Sequence, residues 1–84
     1  MDYKVCYKKS VQHDLKLLGK PAAKKIINKI EKDLPQKALS CPVLKGSFAG
    51  LRKFRVGDYR VIFAILIDEL LILRIAHRKE VYRE

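Results

Sequence analysis

An α+β fold, with an N-terminal strand and a helical hairpin packed on one face of a small antiparallel β-sheet, is the class this sequence predicts. Three observations carry it. Residues 10–34 hold two stretches whose apolar side chains recur at helical spacing, separated by Gly19 and Pro21. Residues 52–65 alternate apolar and polar about Gly57-Asp58, which is a hairpin pattern. Tyr3-Lys4-Val5-Cys6-Tyr7 also alternates and is rich in β-formers, which makes it an opening strand. At 84 residues the chain reads as one domain spanning residues 1–84. A chain of this size buries only roughly 60% of its unfolded surface, and no repeat, linker or low-complexity segment suggests a second unit.

The helices come next in order. Ser10 is a candidate cap for the first, in which Val11, Leu15 and Leu18 share a face and which Gly19 ends. Pro21 suits the first turn of the second. There Ala22, Ala23, Ile26, Ile27, Ile30 and Leu34 form the apolar stripe, Lys24, Lys25, Lys29 and Lys32 point elsewhere, and Pro35 is expected to close the helix. Residues 36–50 contain Pro42, Gly46 and Gly50 and read as a loop.

The β-hairpin can be worked out pair by pair. Gly57 at the first of two turn positions suits a primed turn, which sets Val56 opposite Tyr59, Arg55 opposite Arg60, Phe54 opposite Val61 and Lys53 opposite Ile62. Alternation then sends Phe54, Val56, Tyr59, Val61, Phe63 and Ile65 to the core and leaves Lys53, Arg55 and Arg60 together on the other face. Like charges directly opposed on a sheet repel, so their clustering points to a bound anion. In the last strand Leu71, Leu73 and Ile75 are expected in the core, with Ile72, Arg74 and Ala76 on the basic face. That parity requires a three-residue loop at Asp68-Glu69-Leu70. His77, Arg78 and Tyr82 follow, within reach of the same face.

Charge narrows the partners. The net charge is +10, from 19 Lys+Arg against 9 Asp+Glu, which favours a polyanion. Every cation up to residue 50 is Lys, whereas the arginines all lie between Arg52 and Arg83. Lysine is a mobile point charge and arginine a planar fork that matches phosphate, so the C-terminal half holds the site. The run "VIFAILIDELLILRIA" is split by Asp68 and Glu69 into pieces too short to span a bilayer, so no membrane partner is expected. Cys6 and Cys41 make no disulfide framework, no signal peptide precedes them, and the cytoplasm is the expected compartment. Cys6, His13, Cys41 and His77 lack the short paired spacings of a zinc site; no metal or cofactor is expected, and both cysteines read as small buried apolar groups.

The segments "LKGSFAGLRKFRVGDYRVIFAI" and "LRIAHRKEVYRE", following a Lys-rich strand and helical hairpin, resemble the RelE/ParE superfamily of toxins from type II toxin–antitoxin systems. "RVGDYRVIF" and "HRKEVY" are the most specific pieces, and the likeness runs over nearly the whole chain. The resemblance implies a RelE-like fold and a metal-independent endoribonuclease, an mRNA interferase that cuts mRNA at the ribosomal A site. It also implies an acidic, RelB-like cognate antitoxin that wraps the toxin, and operator DNA as a partner only through the antitoxin complex. Carried over by position, Lys53, Arg60, His77, Arg78 and Tyr82 are the catalytic candidates and Arg55 an RNA-binding one; Arg52, Arg74 and Lys79 are further cations expected to bind RNA. Leu51 departs from the pattern, standing where some members have a further lysine. The interval from Arg78 to Tyr82 is shorter than in the best-known form.

These residue types suit the chemistry. A ribose 2′-OH can attack the adjacent phosphate if one group takes its proton and another protonates the departing 5′-oxygen. Arginine forks stabilise the charge that gathers on the phosphoryl oxygens. Cations around Lys53 favour its neutral form, which suits a base; His77 or Tyr82 would be the acid, and Tyr82 is alternatively a stacking platform for an unpaired base. Two rivals remain open: a ParE-like inhibitor of DNA gyrase without nuclease activity, and a non-enzymatic nucleic-acid-binding module.

Overall fold

β1 (Lys4–Tyr7) leads into α1 (Lys9–Leu18) and α2 (Lys20–Lys37); a 3-10 turn (Ala38–Ser40) and a loop then deliver the chain to β2 (Arg52–Val56), β3 (Tyr59–Ile65) and β4 (Glu69–His77). The computed structural model describes residues 3–46 and 50–77. The sheet order is β1-β4-β3-β2. β2 pairs with β3 and β3 with β4 in antiparallel fashion, while β1 joins β4 in parallel, so the sheet is mixed rather than wholly antiparallel. A parallel pair needs a long crossover between its strands, and everything from α1 to β3 provides it here.

Both helices pack on one face of the sheet. Val11 of α1 and Ile26, Ile30 and Leu34 of α2 meet Phe54, Val56, Val61, Phe63, Leu70, Ile72 and Ile75 in a single buried cluster. Gly19 makes the tight α1–α2 joint possible: at φ 88 its N–H bonds the Lys16 carbonyl and its own carbonyl accepts from Ala23, closing one helix and opening the next. Tyr7 ties β1 to α2 by donating from its hydroxyl to Glu31 at 3.1 Å.

Two helix boundaries differ from expectation. α1 starts at Lys9 and has no side-chain cap. Lys8 is pinned at the strand end by its N–H bond to the Ile72 carbonyl, so the first turn begins before Ser10 can act as a cap. Pro35 does not close α2, which runs to Lys37. A proline in the last turn forfeits one bond, and continuing the helix keeps Leu34 and then Ala38 buried on the same face.

The β2–β3 pairing follows the expected register at every pair named above. Gly57 has φ 58, and no residue other than glycine has a positive φ among those described, so the turn is of the kind with only its first residue left-handed. β4 differs. The connection is three residues long but spans 66–68, with Ile65 opposite Leu70. Leu70 and Ile72 therefore enter the core in place of Leu71 and Leu73. Between the pairs Phe63–Ile72 and Ile62–Arg74 one extra residue, Leu73, forms a bulge. A bulge advances the strand by one position, which restores Ile75 to the core and puts Arg74 and Ala76 on the open face.

Candidate nucleic-acid interface

On the face turned away from the helices, three strands lay side chains in two rows. One row runs Arg55, Arg60, Ala76 and the next runs Lys53, Ile62, Arg74. Neighbouring strands lie about 4.8 Å apart, so Lys53 and Arg74 flank Ile62 across roughly 10 Å. Ile62 and Ala76 are buried and, with Leu44 and Leu51 packed against them, form a small apolar floor. Leu51 supplies an apolar side chain to this floor.

Arg60 is the pivotal side chain. It is half-buried, and its Nε is shielded from solvent with no hydrogen-bond partner among the described residues. A buried N–H left unpaired is costly, by about 1–3 kcal/mol. An anionic oxygen reaches it only if the side chain turns to uncover it. Arg55, directly opposite, is exposed and donates from its Nε to the Gly57 carbonyl at 3.0 Å, which fixes its stem against the turn. Among the described residues no carboxylate shares the two rows. Glu69 lies on the same face but toward β1, where it accepts from the Cys6 thiol at 3.4 Å.

Two expected members of the group lie elsewhere. Arg52 pairs with Phe63 and shares its parity, so it points to the helix side. There its guanidinium donates to the carbonyls of Leu39 at 3.2 Å and Cys41 at 2.9 Å, closing the 3-10 turn. These bonds tie β2 to the 3-10 turn. His77 pairs with Tyr59, not Arg60, and the two rings meet edge to face with centroids 5.9 Å apart. The position opposite Arg60 belongs to Ala76. Arg78, Lys79 and Tyr82 lie outside the described residues.

The thiols are not poised for chemistry. Desolvation first, and the Glu69 carboxylate second, push the Cys6 thiol above its ordinary value; burial does the same for Cys41, which donates to the Lys37 carbonyl. Cys41 is buried as expected, whereas Cys6 is only half-buried on the open face. A cavity of about 370 Å³ lies on the helix side, between α2 and the Gly57-Asp58 turn, and is separate from the cationic rows. No helix among the described residues is long and apolar enough to cross a membrane.

A helical hairpin on one face of a β1-β4-β3-β2 sheet, with crowded cations on the other, is the arrangement expected of the RelE/ParE superfamily. The sequence profile of the ParE toxin of type II toxin–antitoxin systems (parDE) matches residues 5–82, and the chain belongs to that family. It is similar to a chain in the crystal structure of the RelBE2 toxin–antitoxin complex from Mycobacterium tuberculosis, at 26% identity and TM-score 0.84, covering 93% of this chain and 100% of that one. The archaeal RelE–RelB complex from Pyrococcus horikoshii is similar at 27% identity and TM-score 0.66, covering 96% and 100%. The chromosomal ParDE system of P. aeruginosa shares the fold, at 20% identity and TM-score 0.69, covering 89% and 95%. No curated protein sequence is detectably similar to this chain.

Proposed function

We propose that this toxin is a metal-independent endoribonuclease that cleaves mRNA at the ribosomal A site and so arrests translation. The observation that carries the reading is the clustering of Arg60 with Lys53, Arg55 and Arg74 on one face of the sheet. A surface that only docks against another protein has no need of a phosphate-shaped cluster whose cations repel. Arg60 binds the phosphoryl oxygens as charge develops on them, and Arg55 and Arg74 hold the flanking backbone. Lys53, in the same face, takes the 2′-OH proton, and the apolar floor of Ile62 and Ala76 seats a ribose or base edge. Arg78 and Tyr82 remain candidates for charge stabilisation and for protonating the leaving oxygen, and Lys79 for backbone contact. Arg52, an RNA-binding candidate, and His77, a catalytic one, share the parity of the helix side rather than of the cationic rows, so neither is given a role in this reading.

The partner that restrains the toxin is a cognate, acidic antitoxin, in keeping with the toxin–antitoxin complexes among its structural relatives. Operator DNA is reached only through that complex, and the cytoplasm is the site of action. The antitoxin adds apolar contact as well as charge, so the complex is expected to survive moderate salt; complete dissociation there would leave charge alone as the attraction.

A gyrase inhibitor without nuclease activity is the second reading, favoured by the ParE profile match over residues 5–82. Mapping mRNA 5′ ends after brief induction separates the two. New ends at codon-phased positions within minutes are expected. An unchanged map, together with loss of supercoiling by purified gyrase, would establish the inhibitor instead.

A further inference from the structure

We propose that Asp14 of α1 is a positioning residue: by holding the Ile75 amide it fixes the β4 bulge and thereby turns Arg74 onto the cationic face. β1 covers β4 only from Glu69 to Ile72, and the Lys8 N–H on the Ile72 carbonyl is the last backbone bond on that edge among the described residues. The bulge follows at once. Three residues beyond Ile72, the Ile75 N–H is met by Asp14 Oδ2 at 3.1 Å, across 61 positions of sequence. Asp14 is half-buried and lies one turn after Val11, beside Leu15, on the face that α1 turns to the core. A carboxylate is a stronger acceptor than the neutral carbonyl it replaces at this uncovered edge.

Over residues 70–73, side-chain burial gives β4 no preferred phase. Leu70, Leu71, Ile72 and Leu73 are apolar on both parities, so either set can face the helices. Without the bulge, the alternation begun by Leu70 and Ile72 would carry Arg74 and Ala76 to the core side and leave Leu73, Ile75 and His77 outside. Arg74 would then vanish from the row it shares with Lys53 and Ile62. The Asp14 bond recognises the bulged phase directly, because it is made to the backbone at the first residue to return to the core. The register claim stands on this geometry; its consequence for RNA cleavage rests on the nuclease reading.

The test is NMR on the full chain, with cleavage measured alongside. Wild type is expected to show a scalar coupling across the hydrogen bond, from the Ile75 amide nitrogen to the Asp14 carboxyl carbon, a measurement that needs no variant. Asp14→Asn keeps an acceptor oxygen and is expected to retain slow Ile75 exchange and the Ile62–Arg74 cross-strand contact. Asp14→Leu is expected to exchange Ile75 about tenfold faster or more, to lose the Ile62–Arg74 contact, and to cleave mRNA with a lower kcat that Asp14→Asn restores. Absence of the coupling in wild type, or unchanged Ile75 exchange and contact in Asp14→Leu, overturns the proposal. If wild type cleaves no mRNA the nuclease reading falls, while the coupling and exchange still decide this one.

Discussion

The α-hairpin and the open face of the sheet are both basic, yet they keep their cations in different ways. On α1 and α2, lysines such as Lys16, Lys24 and Lys32 are exposed on flexible stems, and the three carboxylates of these helices are each engaged: Asp14 with the Ile75 amide, Glu31 with Tyr7, Asp33 with Lys29 at 2.9 Å. On the sheet, Lys53, Arg55, Arg60 and Arg74 are packed into two short rows across β2, β3 and β4. Spreading charge over a wet helix surface costs little; crowding it on a sheet face opposes folding. Net charge therefore says how strongly the chain is drawn to a polyanion, and the crowding says where the specific contact is made.

Substitution of Arg60 is the most severe test of that contrast. Arg60→Ala is expected to lower single-turnover mRNA cleavage about a hundredfold or more, roughly 3–4 kcal/mol of transition-state stabilisation, while melting no earlier than the parent. Arg60→Lys recovers only part, since an ammonium lacks the two-pronged contact. Parental cleavage by Arg60→Ala would make the sheet face no different from the helices. Arg52→Ala should do the reverse. It removes one exposed and one part-buried hydrogen bond to the Leu39 and Cys41 carbonyls, costing about 1 kcal/mol, or roughly 4–8 °C of melting temperature in a domain this size. Cleavage by its folded fraction is expected to stay near parental.

A pH titration sharpens the helical side of the comparison. Burial, and secondarily the Glu31 carboxylate, hold the Tyr7 phenol well above its ordinary value. The folded state thus prefers the protonated phenol, and the stability this supplies is complete below pH 10.0, the unperturbed value, and lost as pH rises beyond it. Denaturant melts between neutral and strongly alkaline pH are expected to show this loss in wild type and a smaller one in Tyr7→Phe. The smallest effect belongs to the outer lysines: Lys24→Ala with Lys32→Ala should shift stability by no more than about 0.5 kcal/mol each. A large drop would mean that the α-hairpin, too, holds its charge in a structured site.

The β-hairpin was fully legible because a two-residue turn fixes register locally: once Gly57 and Asp58 are the turn, Arg55 must face Arg60. The same alternation already assigned Arg52 the parity of Phe54 and His77 that of Ile75, so both could have been removed from the basic face before any coordinates. What sequence did not disclose was long-range. Nothing near Leu73 signals a bulge, because its determinant is a carboxylate on α1. Pro35 misled for a related reason, since a local rule for ending helices yielded to the burial of Leu34 and Ala38. The apolar floor of Ile62, Ala76, Leu44 and Leu51 was also missed; it joins a loop to two strands and has no motif.

The parallel pairing of β1 with β4 has a consequence for synthesis. Cys6 and Glu69 touch across 63 positions, and the first strand has no partner until the fourth has left the ribosome. Contacts so distant in sequence form late and slowly. Arg74 lies on that same final strand, so a nascent chain carries its lysines long before it owns a complete cationic face. The face that carries Arg74 is therefore assembled late, after the helices and the β2–β3 hairpin have had the chance to form.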